Sequence, residues 1–242
     1  MSRTQHDLQT TYDPNQGWSH FVLYSEPQYG IASSGLHGSV SFERPTRRVK
    51  EWQDRLQKCE PNPLHTLLVE SRKIPSLFHP CVYEDRNSPS AVAQDGCVCF
   101  QASYDPEFGL PVVADHHRTV SGNIDHWTYR TLAPTDLRPG DSFASFIIDE
   151  ATNFWIRTTA GVLVILPEAR HGGYSVGYSG GGPNALASYL RKLIETDGED
   201  AAPLEHRFDE KPDRKLVAWT SSKEAQRPQE LTLDDLRRIQ RG

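Results

Sequence analysis

At 242 residues the chain has room for one large domain or two small ones. A net charge of -6 and a pI near 5.9 exclude steering to nucleic acid by a global basic field, leaving only a local basic patch for that role. With 36% hydrophobic residues, a mean hydropathy of -0.61 and no apolar run of membrane-spanning length, the chain reads as a globular protein without a membrane partner.

The N-terminal run MSRTQHDLQT lacks the apolar stretch of a signal peptide, which makes the cytoplasm the expected compartment. Four cysteines are too few for a disulfide scaffold and stand as thiols or metal ligands. The 17 prolines and 17 glycines imply short elements joined by many turns.

Residues 1–17 are polar and unpatterned, a loose leader by expectation. HFVLY (20–24) and SVSF (39–42) read as short strands. Thr46 caps an expected helix, RRVKEWQDRLQKC, with Val49, Trp52, Leu56 and Cys59 on one face. Arg47, Arg48, Lys50, Arg55 and Lys58 line its other face, a candidate contact for nucleic acid or a protein partner. Glu51 and Asp54 interrupt that face, as they would on a solvated helix surface. LHTLLVE (64–70) fits strand or helix, and 84–96 reads as a long loop.

CVCFQA (97–102), PVVAD (111–115) and HWTYRTL (126–132) alternate as strands do. Three more β runs, SFASFIID, NFWIRTT and GVLVILP, follow the turn APTDLRPGD, and their short links permit only antiparallel neighbours. GYSVGY (173–178) reads as a further strand leading into GGGP and the helix NALASYLRKLIE. In that helix Leu186, Leu190, Leu193 and Ile194 form an apolar stripe. KLVAW (215–219) reads as another strand, and Thr232 with Asp235 as a capping box opening a last helix. The expected fold is α+β: a mainly antiparallel sheet, a basic helix within a region spanning 18–139, and a C-terminal meander–turn–helix unit over 140–242, the two regions having either separate cores or one in common.

The turn before the long helix carries the most specific chemistry. First-turn amides of a helix lack internal partners and carry partial positive charge, so anions settle on them. Pro183 fits the first helical position, where a missing N–H costs nothing, and Gly180, Gly181 and Gly182 before it remove the side chains that would block a ligand. A phosphate or carboxylate is expected on the amides of Gly182, Asn184 and Ala185, with Tyr178 and His171 close by. The alternative is purely structural: a sharp entry into a helix needs glycine for close packing. The turn lacks the lysine and hydroxyl residue of a P-loop and the spacing of a dinucleotide fingerprint.

The run GYSVGYSGGGPNALASYLRKLI, with the charged linker, LVAW and LTLDDL segments after it, resembles a small uncharacterised domain of phage, plasmid and actinobacterial proteins. That family has a Gly-Tyr-Gly-Gly-x-Gly-Pro turn before a Leu/Ala-rich helix; here Ser179 replaces a glycine. The resemblance covers the last third of the chain and implies an origin among mobile elements.

Two further constellations are weaker. Asp115-His116 and His126, with His171, offer residue types used by metal-dependent phosphoesterases or nucleases. Neighbouring strand residues point to opposite faces, however, so His116 and His117 do not share a metal without a bend. His79, Cys81, Cys97 and Cys99 contain the donors of a zinc site, yet without the usual two-residue cysteine gap; buried thiols are the alternative. No cofactor is selected by any motif. The leading expectation is an accessory or regulatory binding protein with a small anionic ligand at the glycine-rich turn.

Overall fold

A computed structural model describes residues 6–13, 18–25, 39–68, 78, 96–119, 124–168, 173–204 and 213–242. The fold is α+β, with every pairing between its named strands antiparallel. β1 (His6–Asp13) and β2 (Trp18–Ser25) form a hairpin, so the polar leader contains a strand. A five-stranded sheet has the order β3-β7-β6-β5-β4, from β3 (Ser39–Phe42), β4 (Gln57–Lys58), β5 (Gly96–Asp105), β6 (Leu110–Thr119) and β7 (Ile124–Leu132). A four-stranded sheet has the order β10-β9-β8-β11, from β8 (Phe143–Ile148), β9 (Phe154–Thr158), β10 (Leu163–Ile165) and β11 (Gln229–Thr232).

Side-chain alternation makes the four-stranded sheet the middle layer. One of its faces places Phe146, Ile148, Ile156 and Val164 in a cluster with helix residues Leu186, Leu190, Leu193, Leu216 and Leu236. These come from α3 (Gly181–Glu195), α4 (Arg214–Thr220) and α5 (Leu233–Arg241). Its other face places Ile147, Trp155, Leu163 and Ile165 against Phe42, Val112, Val49 and Trp52. The last two lie on α1 (Arg47–Gln53), and all four are buried. Phe42 stacks on Trp155 with ring centroids 5.0 Å apart. Residues on both sides of Pro139-Gly140 thus share this second cluster.

Thr46 caps α1 by accepting from the Val49 amide, but the helix stops at Gln53 instead of reaching Cys59. Arg55 and Trp52 Nε1 both donate to buried Asp105, and the chain then extends so that Gln57 and Lys58 pair with β5. The ambiguous segment becomes a short helix, α2 (Pro63–Leu67).

KLVAW is helical, not a strand. Asp213 caps it by accepting from the Lys215 and Leu216 amides, and Leu216, Trp219 and Thr220 fall on one buried face. GYSVGY forms no strand either. Gly177 adopts φ +88°, and its amide bonds the Thr220 carbonyl at the end of α4. The capping box at Thr232 and Asp235 is present in full. Among the described residues no helix is long and apolar enough to cross a membrane.

Candidate functional site

The glycine-rich turn is built from α3, the segment before it and the end of α4. The buried Thr220 hydroxyl donates to the Pro183 carbonyl at 3.0 Å, tying α4 to the first turn of α3. Each glycine then has its own surroundings. A Cβ on Gly182 would lie 2.0 Å from Ser175 Oγ and 3.2 Å from the Gly173 carbonyl oxygen, so any side chain there has to displace the Ser175 hydroxyl and press on the Gly173 backbone. A Cβ on Gly180 would meet the Tyr178 ring at 2.5 Å. Gly181 is exposed, with no atom within 4 Å of a Cβ built there.

Ser175 couples these positions. Its hydroxyl, packed under Gly182, donates to the Tyr178 hydroxyl at 2.9 Å. Tyr178 is 53% exposed, the large hydrophobic side chain left in solvent among the described residues. The Asn184 amide, expected to meet an anion, donates to the Gly180 carbonyl at 3.2 Å. Ala185 is buried. The opening is therefore at Gly181, one residue before the expected amides. His171 lies outside the described residues.

The Asp115 constellation separates by strand face. His116 pairs with Trp127 across β6 and β7 and stacks on it at 4.2 Å; its Nδ1 is 3.8 Å from the Cys99 Sγ. Asp115, His117, His126, Thr128 and Arg130 take the opposite face, because the register pairs Asp115 with Thr128 and His117 with His126. With Glu43 and Arg44 these five line a cleft of about 630 Å³. Arg130 Nη1 sits 3.5 Å from Asp115 Oδ2. The sequence sets His117 apart from His116 by strand face and offers no role for Arg130; polar residues at alternate positions 126, 128 and 130 are the signal that marks such a face.

Among the described residues no three His, Cys, Asp or Glu side chains are grouped to hold one metal ion. His79 and Cys81 lie outside the described residues, and Cys97 is placed only by its position in β5. Cys99 is buried, with its Sγ against His116. A cysteine–histidine contact does occur elsewhere: Cys59 Sγ is 3.7 Å from His65 Nε2. That nitrogen faces the Ser103 carbonyl at 2.8 Å, while His65 Nδ1 accepts from the Asn62 amide. Burial, with help from Glu60, pushes the Cys59 thiol up, which opposes a thiolate nucleophile.

The basic face of α1 is divided by internal ion pairs. Arg48 binds Glu51 at 3.1 Å and Glu230 at 2.7 Å, and Arg55 binds Asp105 at 2.6 Å. Arg157 of β9 also meets Glu51, at 2.6 Å. Arg47 and Lys50 remain exposed on the helix, whereas Arg55 follows it and Lys58 lies in β4.

The Arg157 hydrogen bond, opposed by burial and aided by Arg48, holds the Glu51 carboxyl below its ordinary value. A carboxyl lowered by folding stabilises the native state above its unfolded pKa, and that contribution is lost as pH falls through the lowered value. The expected result is a shallower fall of Tm on acidification through that window for Glu51→Gln than for the parent, read by thermal melts. Equal slopes would remove Glu51 from the acid response.

No family model, curated protein or solved structure matches the chain.

Proposed function

We propose that the protein is an accessory binding protein that holds an oxyanion, a phosphate or carboxylate group, at the start of α3. The observation that carries this reading is the unobstructed backbone of Gly181 at the head of a 15-residue helix, flanked by exposed Tyr178. The first-turn amides supply donors and the helix supplies partial positive charge. Tyr178 adds a hydroxyl and an aromatic face beside them. The resemblance of the C-terminal third to a mobile-element domain supports an accessory role.

The open site at Gly181 provides a clean test. A Cβ at Gly181 meets no packed neighbour among the described residues, so Gly181→Asp starts from an open position, and a carboxylate there complements the helix dipole by about 0.3–1 kcal/mol. The variant is expected to melt at or slightly above the parent temperature. In a titration with inorganic phosphate followed by amide NMR, the parent should show saturable shifts at Gly181 and Gly182, and the variant none. Parent amides that stay still, or a variant that responds equally, would remove the site.

A further inference from the structure

We infer that the cleft on the outer face of β6 and β7 is a second ligand site, for a small amphoteric molecule whose oxyanion docks on Arg130. The site is independent of the turn at α3. It starts from a part-exposed cation with unused donor capacity: the Arg130 side chain is 23% exposed to the cleft, and its Nη1 makes no hydrogen bond among the described residues. Its contact with Asp115 Oδ2, at 3.5 Å, lies beyond the length of a good charge-assisted bond. A guanidinium nitrogen without an acceptor costs free energy, and an oxyanion that engages the exposed part of the Arg130 fork and draws the side chain toward the cleft relieves that cost.

The remaining walls define the rest of the ligand. Arg44 adds a second cation, Thr128 a hydroxyl, and His117 and His126 two imidazoles whose centroids lie 5.6 Å apart. Glu43 and Asp115 place two carboxylates in the same cleft. Those acids repel an extended polyanion, so a nucleic-acid backbone is a poor occupant. They favour a compact molecule that presents hydroxyl or ammonium donors as well as one anionic group. A volume of about 630 Å³ lies within the range of about 300–1,000 Å³ found for small-molecule sites.

The register explains why this polar set collects at one place. Val113, Phe100 and Leu132 occupy the same sheet face and are buried in an apolar cluster with Leu68 and Leu110. Further along β6 and β7 the positions on that face become Asp115, His117, Thr128 and His126, and the apolar cluster gives way to the cleft. Charged and titratable residues on alternate positions of two neighbouring strands are not needed to close the core beside them.

The test uses the full chain with inorganic phosphate and O-phosphoserine, the second carrying both an oxyanion and an ammonium group. Saturable amide shifts are expected at Asp115, His117, His126, Thr128 and Arg130, with phosphoserine binding at least fivefold more tightly than phosphate. Arg130→Gln is expected to weaken phosphoserine at least tenfold. His126→Ala and Arg44→Ala, at exposed positions, are expected to weaken it at least threefold and carry the test if Arg130→Gln does not fold. Gly181→Asp should leave these shifts intact, which separates failure here from failure at the turn. No shifts at the cleft, or unchanged affinity in the variants that fold, would overturn the assignment. Phosphate binding as tightly as phosphoserine would overturn its amphoteric part.

Discussion

Asp149→Ala is expected to destabilise the protein by about 3–5 kcal/mol, because two buried donors lose their charged acceptor at once. Asp149 is 2% exposed at the end of β8. Its Oδ2 accepts from Thr46 Oγ1 at 2.7 Å, Trp155 Nε1 at 3.1 Å and Asn153 Nδ2 at 2.9 Å. Its Oδ1 accepts from the Ala151 and Asn153 amides. Those last amides lie in a half-buried turn and can recruit water. Thr46 Oγ1 and Trp155 Nε1 are buried and cannot, at about 1–3 kcal/mol for each unsatisfied donor. The carboxylate therefore joins the cap of α1 to the first turn of the meander, across 103 positions of sequence. Asp149→Asn keeps one acceptor oxygen but turns an NH₂ group toward existing donors, so it should fall between parent and Asp149→Ala. Urea unfolding monitored by Trp fluorescence measures the series. A loss below about 1 kcal/mol for Asp149→Ala would show that the network is dispensable.

That network illustrates which parts of the fold could be read from sequence. Thr46 and the Thr232–Asp235 capping box announce their helices because cap chemistry acts over three residues. The meander of β8, β9 and β10 is visible through alternation and short links. Elements whose state depends on distant partners are not visible in this way. KLVAW has the composition of a strand, and its helical state follows from the Asp213 cap and the burial of Leu216, Trp219 and Thr220 under α3. β11 is mostly polar, Gln-Glu-Leu-Thr, and becomes a strand because it covers the free edge of β8. The early stop of α1 depends on Asp105, which is 50 residues from Arg55.

The candidate sites divide along the same line. Glycine spacing marks the turn, yet it does not say which glycine faces protein and which faces solvent. The Asp115 motif points at the right strand but pairs the wrong neighbour, since His116 belongs to the Trp127 face and His117 to the cleft. Arg130 joins the cleft only through cross-strand register. The basic row on α1 is plain in sequence, whereas the pairing of Arg48 with Glu230 and of Arg55 with Asp105 requires two other elements, β11 and β5.

Gly182→Ala is expected to destabilise by about 2–3 kcal/mol, the range of overpacking in a tight interior. Helix propensity alone would favour the alanine by up to about 1 kcal/mol. The sign reverses because the new Cβ would lie 2.0 Å from Ser175 Oγ, 3.1 Å from Ser175 Cβ and 3.2 Å from the Gly173 carbonyl oxygen. Gly182→Val adds two methyl groups to that collision and should cost at least about 3 kcal/mol. Gly181→Ala, one position earlier, meets nothing and should be neutral or stabilising by up to about 1 kcal/mol. The cause can be isolated by removing the obstacle. Ser175→Gly deletes both the Oγ and the Cβ under Gly182, the two nearest atoms, and leaves the Gly173 carbonyl oxygen at 3.2 Å. Combined with Gly182→Ala it should recover at least about 1 kcal/mol in a double-mutant cycle, read by urea unfolding. A cycle with no coupling, or equal effects of alanine at 181 and 182, would mean that the turn tolerates side chains throughout and that its glycines serve the backbone alone.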